Sequence, residues 1–253
     1  MSDSSALIAR LRGLAAAGSP AQADPRAADA WLGEGLVRAQ LHEIYAREAD
    51  DGPSGIGFGI ALALAARAVP LLWIRTEGCE RAIGRPHAGG LADLGLPADS
   101  LVLAVVADEP ALLRAAADAA RCPGLGTLLI ESAGPARGLD LTATRRLMLA
   151  AEASGVTVLS VRVGAEPSPS AAATRWGVAA VPSTALDANA PGFPAFDIEC
   201  LRRRGGPAGT RWRVEWDRDA KSFRGTPLSG AGLSLAADRA AARHQAAPVR
   251  RAG

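Results

Sequence analysis

LHEIYAREADDGPSGIGFGIALALA, residues 41–65, sets a six-residue run, a polar connection and a glycine-spaced segment in the order by which a parallel α/β sheet passes from strand to helix. Working outward, the same alternation recurs in the apolar runs PLLWIR (70–75), LVLAVVA (101–107), TLLIE (127–131) and VTVLSVRV (156–163). Helices are expected between them near 55–68, 110–121 and 140–154. Pro110 suits a first helical turn, Asp140 an N-cap, and Pro123 and Gly155 helix stops. Strands apolar on both faces imply a mostly parallel sheet covered by helices, so the fold class is α/β.

Beyond Pro182 the period changes. Phe196, Ile198 and Cys200 alternate with Asp197 and Glu199, and Trp212, Val214 and Trp216 alternate with Arg211, Arg213, Glu215 and Asp217. Period two with one polar face predicts half-exposed strands, joined through 204–209 as an antiparallel hairpin on the sheet edge. Before the core, residues 5–17 read as a helix stopped by Gly18-Ser19-Pro20, which makes 1–28 an arm and linker and 29–225 the core domain. The tail, 226–253, is rich in Gly, Ala, Ser and Arg, has helical potential near 235–245, and is expected to be poorly ordered when alone.

The chain has 253 residues, is 49% hydrophobic and carries 28 Lys+Arg against 26 Asp+Glu, a balance of +2 that lies outside disordered and collagenous classes and sets up no global field for nucleic acid. Lys221 is its only lysine. Cys79, Cys122 and Cys200 are odd in number and widely spaced, which argues against a disulfide framework or a zinc knuckle. The start, with Arg10 and Arg12 inside its apolar stretch, reads as no export signal, and Arg67 and Pro70 make Ile56–Ile74 a buried helix and strand rather than a membrane span. A cytoplasmic location is expected.

The sharpest motif is Gly52-Pro53-Ser54-Gly55-Ile56-Gly57-Phe58-Gly59, which stands where a phosphate-binding turn belongs. It meets the glycine spacing of that template and then offers Phe58 and Gly59 where lysine and Ser/Thr would contact phosphate and Mg²⁺. The expectation is a glycine-rich strand-to-helix turn without nucleotide chemistry. Glu131 ends an apolar strand, as a metal-directed acid does, and Glu77 follows another strand as a water-orienting carboxylate would; both strings also arise in ordinary sheets. His42, His87 and His244 form no ligand pair, and Ser168 and Ser170 have no nucleophile elbow, so no metal and no hydrolase chemistry is expected. Trp212 and Trp216 share a face with Val214 and read as core. Arg202, Arg203, Arg204, Arg211 and Arg213 form a local basic patch, equally a solvated face or a site of weak, salt-sensitive contacts to single-stranded DNA.

With these residues in order, 29–62 resembles the RecA-family entry to its nucleotide loop: Leu41 to Tyr45 stand for the first core strand, Gly52 to Gly59 for the Walker A loop. The resemblance would put RecA's catalytic glutamate at Glu77, its Walker B acid at Glu131 and its nucleotide-sensing glutamine at Arg162, and it shows both DNA loops shortened, at 132–140 and 164–173. A closer resemblance is to the ImuA family, RecA/SulA-like mutagenesis proteins encoded beside ImuB and an error-prone DnaE-type polymerase. It is carried by LDLTATRRLMLAAEASGVTVLSVRV (139–163), SAAATRWGVAAVPS (170–183) and TRWRVEWDRD (210–219). This resemblance implies a non-catalytic, cofactor-free accessory of DNA-damage-induced (SOS) translesion synthesis and DNA repair, built on a RecA-like core. ImuB and the DnaE-type polymerase would be its partners, and self-association would use a surface on which RecA-like arms dock. The remaining readings are a SulA-like inhibitor binding the tubulin-like division protein, against which the full-length hairpin argues, and an ATP-dependent recombinase, which needs the lysine absent at Phe58.

Overall fold

The five expected parallel strands form where their apolar runs lie: β1 (Leu41–Ala46), β2 (Leu71–Thr76), β3 (Leu101–Val106), β4 (Thr127–Ala133) and β5 (Thr157–Val163). The computed structural model describes residues 36–226 apart from 47 and 207, so the expected arm, its helix over 5–17 and the tail beyond 226 lie outside the described residues. Between the strands run α1 (Gly52–Ala65), α2 (Glu77–Ile83), α3 (Ala88–Asp93), α4 (Glu109–Ala119) and α5 (Leu141–Ser154). The Asp140 carboxylate accepts the Ala143 N–H at 2.8 Å and caps α5, which stops at Gly155 in the left-handed conformation. Asp108 caps α4 in the same way, and Pro110 occupies its first turn.

β6 (Thr174–Ala180) continues the sheet parallel to β1, and β7 (Ala195–Arg203), β8 (Arg211–Asp217) and β9 (Ser222–Thr226) extend it antiparallel. The full order is β3-β2-β4-β5-β1-β6-β7-β8-β9. The expected hairpin is β7–β8, but it joins the parallel strands through β6, which the sequence reading lacked, and β9 lies beyond it. Two cores cover the two faces: one gathers α1 with Trp73, Trp176, Phe196, Trp216 and Phe223, the other packs α4 and α5 on Leu41, Leu72, Leu128 and Val158.

The glycine-rich segment departs from expectation. Gly52 to Gly59 is not a turn; it forms the first two turns of α1, which starts and ends about three residues earlier than predicted. Gly52, Gly55 and Gly59 recur at i, i+3 and i+7 and face the sheet. A Cβ on Gly55 would sit 3.3 Å from that of Ala46, and one on Gly59 would sit 3.3 Å from Ile44 Cδ1, so these glycines let the helix axis approach the strands. Because α1 is buried on nearly all sides, its sequence carries no amphipathic stripe.

Close approach is tightest at Gly126, where an added Cβ would lie 2.3 Å from the Ala68 carbonyl carbon. Gly126→Ala is expected to destabilise the fold by about 1–3 kcal/mol through backbone overpacking, read as a lowered denaturant midpoint.

Candidate functional site

At the amino end of α1, Pro53 fills a first-turn position, and the preceding residues Glu48, Asp50 and Asp51 put three carboxyl side chains where an anion would enter. Asp51 does not cap the helix; its Oδ1 accepts the Ala180 N–H at 2.8 Å and ties the turn to β6. Phe58 points into the core, fully buried, its ring centroid 5.7 Å from Phe196 and 5.5 Å from Phe223. The residue at the lysine position of the phosphate template is thus a packing residue facing away from any phosphate.

Glu131 is fully buried on the α1 face of β4. Its Oε2 accepts Trp73 Nε1–H at 2.8 Å and lies 3.1 Å from Arg75 Nε, and its Oε1 accepts Arg75 Nη2–H at 3.1 Å. Arg75, in register with it on β2, also donates to the Gly84 carbonyl at 2.8 Å. Burial pushes the Glu131 carboxyl up, while Arg75 and the indole N–H oppose that push. Both carboxylate oxygens are engaged by side chains, so the expected metal-directed acid is one half of a buried ion pair. Glu77 opens α2 rather than a loop; it is exposed and pairs with Arg81 at 3.5 Å.

Four of the five hairpin arginines make hydrogen bonds of their own within the fold. Arg202 donates to the Ser170 carbonyl at 3.1 Å, Arg204 to the Ala171 carbonyl at 2.9 Å and Arg213 to the Pro182 carbonyl, while Arg211 forms a two-point pair with Asp197. Arg203 borders a notch of about 230 Å³ with Leu36, Val37, Trp176 and Arg204. The basic string seen in sequence therefore serves largely to tie 170–172 and 182 to the sheet. Trp212 and Trp216 do lie on the core face, Trp216 fully buried.

His42 carries a chain of hydrogen bonds at the start of β1. Trp176 Nε1–H donates to Thr174 Oγ1 at 2.8 Å, the Thr174 hydroxyl lies 2.8 Å from His42 Nδ1, and His42 Nε2 lies 2.8 Å from the Val37 carbonyl. A carbonyl can only accept, which assigns the proton to Nε2 and makes Nδ1 the acceptor of the threonine hydroxyl. Burial lowers the His42 pKa to about 4. His87 is exposed, and its Nδ1 accepts the Gly90 N–H to cap α3. No cluster of three or more potential metal-binding side chains occurs among the described residues.

Among the described residues, β3 is an edge strand of the sheet. Leu103 and Val105 are each 41% exposed there, in register with Trp73 and Arg75 on the α1 face. Trp73 and Arg75 floor a groove of about 280 Å³ walled by Ile56, Ile60, Ile83 and Leu91. Groove floor and edge strand thus stand side by side, and among the described residues the outer backbone of β3 pairs with no strand. The apolar run LVLAVVA marks a strand but not its place in the sheet, which only the sheet order supplies.

The strand order, the helices on both faces and the antiparallel extension define a RecA-like α/β core. Consistent with this, the crystal structure of the RadB recombinase superposes with a TM-score of 0.51 at 14% identity, covering 77% of this chain and 94% of that one. No family model matches the chain. The ImuA proteins of two Caulobacter vibrioides strains are each 35% identical to it over 141 residues, 52% of this chain and 50% of theirs. The chain spans about half the length of the curated relatives it matches. No helix among the described residues is long and apolar enough to cross a membrane.

Proposed function

We propose that this chain is a non-catalytic accessory of translesion synthesis that receives a segment of ImuB on the β3 edge and so supports an error-prone DnaE-type polymerase. At the level of the family, the ImuA similarity supports involvement in translesion mutagenesis. The observation that supports the binding role is the apolar edge strand: LVLAVV contains no charge and no proline to block strand addition, and its exposed Leu103 and Val105 stand in register with Trp73 and Arg75, which floor the groove beside α1. An extended segment pairing with β3 would satisfy its backbone and set alternate side chains against this edge strand.

Titration of the full chain with ImuB tests this. Leu103→Glu combined with Val105→Glu is expected to weaken binding at least roughly tenfold, because two charges would be desolvated on the edge strand. Unchanged affinity in a folded double variant overturns the edge as the docking site. If the edge also mediates self-association, light scattering will show ImuB dissociating the homo-oligomer.

The non-catalytic reading is supported by the buried Phe58 and by the carboxylates ahead of α1. A transferring phosphoryl group needs cationic neutralisation, and α1 begins among acids instead. Phosphate release from ATP with single-stranded DNA present is expected to stay at background. Turnover that follows the protein across a gel-filtration peak overturns the reading.

A further inference from the structure

On the face opposite α1, two adjacent parallel strands carry a square of buried polar side chains. Glu43 and Tyr45 of β1 stand in register with Ser160 and Arg162 of β5, all between 0% and 2% exposed. Among the described residues, Glu43 Oε1, Ser160 Oγ, and Arg162 Nε and Nη1 have no hydrogen-bond partner, and the Tyr45 hydroxyl, which has the Ser168 backbone N–H beside its oxygen, has no acceptor for its own proton. Orphaned groups at such depth each cost free energy, and native proteins rarely gather four such atoms on neighbouring residues of one sheet face without something to bond them.

The rest of the network fixes these groups in position. Glu43 Oε2 accepts the Ser170 hydroxyl at 2.8 Å and Arg175 Nε–H at 2.9 Å. Arg162 Nη2 donates to the carbonyls of Pro135 at 3.0 Å and Ala136 at 3.4 Å. The guanidinium carbons of Arg162 and Arg175 lie 5.8 Å and 5.4 Å from the Tyr45 ring centroid. Arg175 thus pairs with the one carboxylate, and the hydrogen bonds of Arg162 go only to neutral carbonyls.

The chemistry of the orphans is specific. The Arg162 N–H groups and the Tyr45 and Ser160 hydroxyls are donors, and Glu43 Oε1 is an acceptor. Burial and the Glu43 charge raise the Tyr45 pKa, which keeps its hydroxyl a donor. Tyr45 and Arg162 are one residue from the carboxyl ends of two central strands, the end at which open α/β sheets hold ligands, with Glu43 and Ser160 two residues further in. A fully deprotonated oxyanion would suit the donors and be repelled by Glu43; a phosphate that keeps a P–OH suits both, donating that proton to Oε1.

We propose that Tyr45, Ser160 and Arg162, with Glu43 as the proton-accepting member, form a buried site for hydrogen phosphate. It lies on the opposite face of the sheet from α1 and Phe58, so it does not depend on the glycine-rich segment.

Calorimetric titration of the full chain with inorganic phosphate, at constant ionic strength, tests this. Saturable binding is expected, with sulfate, which has no proton to donate at neutral pH, at least roughly tenfold weaker. Arg162→Met is expected to weaken phosphate binding roughly tenfold or more, the scale of a lost charge-assisted hydrogen bond. Tyr45→Phe, which keeps the ring between the two guanidinium groups, is expected to weaken it several-fold and serves if Arg162→Met does not fold. Absence of saturable phosphate binding, as when water alone satisfies the square, overturns the site. So does sulfate binding as tightly as phosphate, or an affinity unchanged in both variants.

Discussion

Glu131→Ala lowers the stability of the folded chain by about 3–5 kcal/mol, the largest effect expected of any single replacement considered for this protein. The Arg75 guanidinium is 1% exposed and has Glu131 as its counter-charge, so truncating the glutamate leaves a cation in the core with only the Gly84 carbonyl and the face of Trp73 beside it. Trp73 loses its N–H acceptor in the same step. Replacing both members, Arg75→Met with Glu131→Leu, restores most of the loss, because desolvation of two charges offsets much of what their attraction contributes. Denaturant unfolding of wild type, single and double variants measures this as shifts in midpoint at constant slope. A single variant as stable as wild type would show that the pair is not the buried contact described. For the resemblance of Leu128 to Ser132 to a Walker B strand, the consequence is that a Glu131 variant reports on folding.

Stability also falls by roughly 3 kcal/mol between pH 6.5 and about 4 on account of His42 alone. In the folded chain the imidazole is buried and neutral, donating to Val37 and accepting from Thr174; in the unfolded chain it takes up a proton near its ordinary value. Over this window the unfolded state binds more protons, so stability rises with pH, is complete above 6.5 and is lost as pH falls. His42→Gln keeps an amide donor and acceptor in place of the ring but cannot titrate. Urea unfolding of both proteins at pH 7 and pH 4.5 gives the comparison: the stability difference between them should narrow, or reverse in favour of His42→Gln, at the lower pH. Parallel pH dependence in the two proteins would rule out His42 as the source.

The parallel half of the sheet was legible because its strands are buried on both faces and read as apolar runs bounded by proline, glycine or capping aspartate. The β7–β8 hairpin was legible for the opposite reason, since a sheet face without a helix keeps its period-two alternation. β6 has that alternation too, in Thr174, Trp176 and Val178, but its small residues Gly177, Ala179 and Ala180 dilute the signal. α2 and α3 are short, and their stability comes from packing and from the Thr76 and His87 caps more than from any apolar period.

Sequence alone determined the α/β class, the order of the parallel strands along the chain, the caps of α4 and α5 and the lack of lysine at position 58, because each depends on local chemistry or on the period of apolar side chains. The tertiary structure decided everything that depends on which strands become neighbours. Gly52, Gly55 and Gly59 look like a phosphate turn until β1, β4 and β5 are seen pressed against them, where an added Cβ would come within 3.1–3.3 Å of its neighbours. Glu131 looks like a metal-directed acid until β2 brings Arg75 alongside. LVLAVV marks a strand without a place until the sheet order puts it at the edge, and the polar square of Glu43, Tyr45, Ser160 and Arg162 exists only because β1 and β5, more than a hundred residues apart, lie side by side in register.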